Sequence, residues 1–87
     1  MTATQRLIDE LEARRVTEGL TQTQFATKLE VSHGQWVNTR LGKWPLGLSV
    51  VAGIRRAYPD LDTLLLDAVA EYVRGEHSEK QSQQAVA

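Results

Sequence analysis

Two stretches of the chain carry the same local instruction eleven residues apart: Thr21 is followed three residues on by Gln24, and Ser32 by Gln35. A Thr or Ser hydroxyl that accepts from the backbone N–H three residues later, while a Gln there reaches back to the first residue's own N–H, satisfies two orphan donors and starts a helix. Thr21 therefore predicts a helix whose buried face is Phe25, Ala26 and Leu29. Ser32 predicts a second, over 33–41. Only Glu30, Val31 and Ser32 separate the two, so a three-residue turn joins them.

The flanking sequence keeps the same period. Apolar residues recur at spacings of three and four and no polar/apolar alternation lasts, which predicts an all-α, compact five-helix domain. The first helix is expected from Thr4 to Thr17, with Leu7, Ile8 and Leu11 inward and Gly19 as a left-handed stop. Gly42, Pro45 and Gly47 interrupt the chain before a fourth helix marked by Leu48, Val51, Ala52 and Ile54, which ends ahead of Pro59. A fifth begins near Asp60 or Asp62 and runs to about Arg74, with Gly75 as its stop. The domain is thus expected over 1–75, and 76–87, rich in Ser, Gln, Glu and Lys, as a disordered polar tail.

Composition narrows the chemistry. With 87 residues and no cysteine, the fold has neither a disulfide nor a thiolate metal site to staple it. His33 and His77 stand far apart without ligand or nucleophile spacing, and no glycine-rich phosphate loop appears, so no enzyme, metal or cofactor is expected. No apolar run spans a bilayer and Met1 to Glu12 is polar, which predicts a soluble, cytoplasmic protein without a membrane partner. The net charge of −1 hides an uneven distribution. Between Arg14 and Tyr58, seven basic residues face two acidic ones, a balance of +5, whereas 1–13 carries −2 and 59–87 carries −4. A polyanion is drawn to the middle of such a chain.

A capped helix, a tight turn and a second capped helix form an arrangement in which the second helix can enter a DNA major groove. The run from Gly19 to Ser32, with Gly19-Leu20-Thr21-Gln22, Ala26, Leu29 and Val31-Ser32 at its fixed points, resembles the lambda-repressor and Cro-like (XRE) family. Trp36, Gly42, Lys43 and Pro45 extend the likeness, which covers about residues 5–70. The resemblance implies a lambda-repressor-like domain that binds double-stranded DNA and regulates transcription, most simply as a repressor of the phage or mobile-element type. It implies that Gln22 hydrogen-bonds a phosphate and braces the recognition helix. It also implies that His33, Gly34, Gln35, Val37 and Asn38 face the groove, with Ser32 before them counted among the DNA-binding residues.

Side-chain chemistry assigns those positions tasks. Gln35 and Asn38 carry amides suited to bidentate pairing with adenine, Gly34 lets the backbone approach closely, and Val37 suits a thymine methyl. His33 is a candidate for a base or a phosphate. Lys43, and after it Thr39, Arg40 and Lys28, are phosphate candidates, which position without reading sequence. Trp36 and Trp44 read as packing residues. The family usually has an apolar residue where Thr39 stands and often an acidic or aromatic one at Arg40, while the apolar side chain here comes late, at Leu41. Either Leu41 lies on the DNA-facing side, or the helix is rotated so that Val37 and Leu41 pack inward.

The fifth helix carries more apolar surface than one small core covers. Leu61, Leu64, Leu65, Ala68 and Tyr72 form one arc, and Leu66, Val69, Ala70 and Val73 a second, which predicts a homodimer interface. Two other functions fit the same sequence. One is an antitoxin whose polar tail binds a protein partner. The other is a helix-turn-helix that serves protein interaction without DNA, a reading favoured by Leu41, Trp44, Leu46 and Leu48.

Overall fold

The computed structural model describes residues 2–74. The expected tail 76–87, its proposed partner-binding role, the Gly75 stop and His77 lie outside the described residues. Within them the chain is all-α: α1 (Ala3–Thr17), α2 (Gln22–Leu29), α3 (His33–Arg40), α4 (Leu48–Ala57) and α5 (Asp62–Val73), with one 3-10 turn, Pro59–Leu61, leading into α5. No helix among the described residues is long and apolar enough to cross a membrane.

Local signals explain most boundaries. Thr21 and Gln24 form the complete reciprocal capping box. The second box is only half made: the Ser32 hydroxyl accepts from the Gln35 N–H at 3.0 Å, but the Gln35 amide lies over Gly47 instead of returning to Ser32. Helix α3 is one residue shorter than expected, ending at Arg40 with Leu41 as its cap. Gly19 is left-handed at φ 69°, as expected of a stop. Glu30 takes the same conformation at φ 60° without being glycine. That position closes α2, where the Glu30 and Val31 N–H groups return to α2 carbonyls.

The core is one cluster. Leu7, Ile8 and Leu11 of α1, Phe25, Ala26 and Leu29 of α2, Trp36 of α3, Val50 and Ile54 of α4, and Tyr58, Leu61, Leu65 and Ala68 are all buried. In it α1 packs on α5, and α2 packs on both α3 and α4. Two of the polar contacts between elements hold α5 in place. Glu71 of α5, itself buried, accepts from the Ala3 N–H at 2.7 Å and the Thr4 hydroxyl at 2.9 Å. A carboxylate thereby sits on the positive end of α1. The Tyr72 hydroxyl accepts from the Leu46 N–H at 3.0 Å and ties the α3–α4 loop to α5.

Gly53 sets how closely α4 meets the end of α2. A Cβ there would stand 2.2 Å from the Leu29 carbonyl oxygen and 3.0 Å from its carbon, both backbone atoms that cannot swing aside. Arg56, one turn on, donates to that same carbonyl at 3.3 Å. Gly53→Ala is therefore expected to cost about 1–3 kcal/mol by overpacking, despite alanine's better helix propensity. Urea unfolding checks this; a variant as stable as the parent would show that α4 is not held so close.

Candidate nucleic-acid interface

Helix α3 divides cleanly. Trp36 is fully buried and Thr39 is 4% exposed, and these two define its inward side. At about 100° per residue the opposite side is Gly34, Val37, Asn38 and Leu41, with His33 and Gln35 at its edges. His33, Gly34 and Leu41 are exposed, and Gln35, Val37 and Asn38 are half-buried. Leu41 does not pack inward: it is 52% exposed, whereas Val37 leans against the core. The buried slot is Thr39's, which corrects its assignment as a phosphate contact. Its Oγ1 has no hydrogen-bond partner.

The Trp36 ring packs against Phe25 with centroids 4.9 Å apart, and its indole N–H donates to the Gln22 Oε1 at 2.6 Å. Gln22 therefore does brace α3 on α2. Its other amide atom, Nε2, donates to the Glu12 carboxylate at 3.1 Å. Thr23 and His33 make a second bridge between the two helices, Oγ1 to Nδ1 at 3.0 Å. Asn38 Nδ2 donates within α3 to the Gly34 carbonyl at 2.8 Å. Ser32 is spent on its cap. Trp44, expected to pack, is 50% exposed.

Gly34 stands apart from the other helical glycine. A Cβ there would meet nothing within 4 Å, and its φ is not left-handed. Glycine in a helix costs up to about 1 kcal/mol relative to alanine. Nothing in the fold calls for it.

Tertiary pairing redraws the charge map. Arg14 lies between Glu10 and Asp60, Lys28 is held on Glu18 and over the Tyr58 ring, Arg55 reaches Asp62, and Arg56 pairs with Glu30. The sequence-based assignment of Lys28 to a phosphate is thereby corrected, since its ammonium is engaged on the α1–α2 side. Arg15 and Arg40 share a single carboxylate, Glu12, at 2.8 and 4.0 Å. Lys43 has no ion pair among the described residues. Of the seven basic residues between 14 and 58, those left with excess positive charge are thus Arg15, Arg40 and Lys43, beside the C-terminal half of α3.

Glu12 and Arg15 were not singled out by sequence reasoning. Their spacing of three on α1 was a visible signal for a pair, but the approach of Gln22 and Arg40 depends on the folded chain. Burial pushes the Glu12 carboxyl up, but hydrogen bonds from Arg15 and Gln22 and the two guanidinium charges outweigh it, holding the group below its ordinary value of 4.5. Glu18, hydrogen-bonded by Lys28 and Tyr58, and Asp60, hydrogen-bonded by Arg14, are held low as well.

No protein-family profile, curated protein or solved structure matches the chain.

A carboxyl whose value is lower in the folded chain contributes stability that is complete above 4.5 and lost as pH falls through the folded value. Unfolding midpoints in urea, followed from about pH 7 to about pH 3, are expected to drop below about pH 4.5, with Glu12→Gln flattening part of that decline. An unchanged acid limb in the variant would show that Glu12 is not held by these partners.

Proposed function

We propose that the protein is a sequence-specific DNA-binding transcriptional regulator, acting as a repressor in the cytoplasm, with the outer face of α3 in the major groove. The observation that carries this reading is where positive charge remains after pairing: Arg15, Arg40 and Lys43 border α3. The capped α2–turn–α3 unit supports it, since the groove admits a helix of this kind. Gly34 supports it too, because an outward glycine without a role in the fold lets a neighbouring molecule approach the backbone.

In this reading Gly34, Val37, Asn38 and, from the edges, His33 and Gln35 meet base edges. Gln22, Arg40 and Lys43 face phosphates. The second apolar arc of α5 pairs two copies. Leu66 and Val73 are exposed at 66% and 81%, with Val69 and Ala70 half-buried between them on the same stripe. A two-fold contact there buries the stripe and sets the two recognition helices about one DNA turn, roughly 34–36 Å, apart.

One other observation favours protein recognition without DNA. Leu41, Trp44 and Leu48 are 52%, 50% and 87% exposed and close in the chain, and exposed apolar patches mark interaction sites. DNA titration separates the readings.

Binding to bulk duplex DNA is expected to fall steeply with salt, and Lys43→Ala to weaken all sequences alike. Gly34→Ala is the sharper variant. It is expected to stabilise the fold by about 0.4–1 kcal/mol while lowering DNA affinity. No binding at low salt, or a Gly34→Ala variant that binds as well as the parent, would overturn the reading.

The dimer has its own readout. Sedimentation is expected to show the parent associating at micromolar concentration and Leu66→Glu remaining monomeric; a variant that associates normally would exclude the α5 stripe.

A further inference from the structure

Three side chains, one each from α1, α2 and α3, meet at Glu12. Its carboxylate accepts from Arg15 Nε at 2.8 Å and from Gln22 Nε2 at 3.1 Å, and Arg40 Nη1 stands 4.0 Å away. The side chains of Glu12, Arg15 and Arg40 are 26%, 20% and 27% exposed, so solvent reaches the cluster. Two guanidinium groups against one carboxylate leave it net positive. Arg40 is also poorly used within the fold: its Nε is buried without a hydrogen-bond partner, and its contact with Glu12 is at the limit of an ion pair.

A planar guanidinium and an amide N–H arranged around a carboxylate present the same donors that a phosphate oxygen pair requires. We propose that Arg15, Gln22 and Arg40 form one phosphodiester-binding site and that Glu12 occupies it in the free protein as an internal stand-in for the phosphate. The site rests on the DNA-binding reading for its natural ligand, but its chemistry is that of any phosphate. Binding moves Glu12 off the Gln22 amide, and Trp36 keeps that amide aimed outward by holding the Oε1. Part of the attraction between protein and DNA is spent on displacing Glu12. The carboxylate therefore weakens every complex, whatever the base sequence, and lets contacts on the outer face of α3 decide which sites stay bound.

The test compares the parent with Glu12→Gln, which keeps an acceptor for Arg15 and removes the charge. Glu30→Gln is the control, because it deletes the same charge from an exposed pair with Arg56 away from the cluster. On bulk duplex DNA, Glu12→Gln is expected to bind about three- to tenfold tighter than the parent, with a salt dependence steeper by about one phosphate contact. Glu30→Gln is expected to change affinity by less than half as much on a logarithmic scale. Arg40→Gln is expected to weaken binding and to remove most of the gain when combined with Glu12→Gln. Heat unfolding of each variant establishes that it is folded.

A Glu12→Gln variant that binds no tighter than the parent, or a Glu30→Gln variant that matches it, overturns the site and leaves DNA binding standing. Inorganic phosphate provides the arm that does not depend on DNA. Added to Glu12→Gln, it is expected to shift the Gln22 side-chain amide and Trp36 indole signals in NMR spectra. If neither protein binds duplex while phosphate produces those shifts, the anion site holds and the DNA reading falls. If duplex and phosphate both fail, both fall.

Discussion

A tryptophan buried between two helices must still find an acceptor for its indole N–H, and in this chain that acceptor is Gln22. Leaving such a donor unpaired costs on the order of 1–3 kcal/mol, enough to fix the rotation of one helix on the other. With Trp36 and Thr39 turned inward, Gly34, Val37, Asn38 and Leu41 have to face out. The same bond orients the Gln22 amide, so that Nε2 points at Glu12 and brings α1 into contact with the turn unit. The rotation of α3 and the charge cluster beside it thus share one satisfied polar group.

Charge along the chain and charge on the folded surface are different quantities here. The basic middle of the sequence recruits its counter-ions from the acidic ends, Glu10 and Glu12 on one side and Asp60 and Asp62 on the other. Exposed pairs of this type contribute little to stability, typically under about 1 kcal/mol. Their effect is on the electrostatic field: they cancel most of the stripe and leave the surplus near α3.

What was legible in the sequence was whatever local chemistry determines. Thr21 with Gln24, and the hydroxyl of Ser32, start helices wherever the chain sits, so α2 and α3 begin where their caps predict. The periodic Leu7, Ile8, Leu11 and Phe25, Ala26, Leu29 faces fixed what is buried. The misses are tertiary. The Gln35 side chain lies beside Gly47 and does not close its cap, and Thr39 took an inward slot that its hydroxyl does not suit. Glu71 caps α1 from 68 residues away, which no local pattern encodes. The approach of Arg40 to Glu12 likewise joins residues far apart in the chain, so only the folded structure reveals the cluster.

Whether the outer face of α3 is the surface that meets DNA is tested most directly by chemical-shift mapping of the backbone amides during titration with duplex DNA. The account predicts that the largest changes fall on Gly34, Val37, Asn38, Leu41 and Lys43, with the Trp36 indole N–H responding through Gln22. Changes confined to Leu66, Val69 and Val73 of α5, or to Trp44 and Leu48 alone, would contradict it.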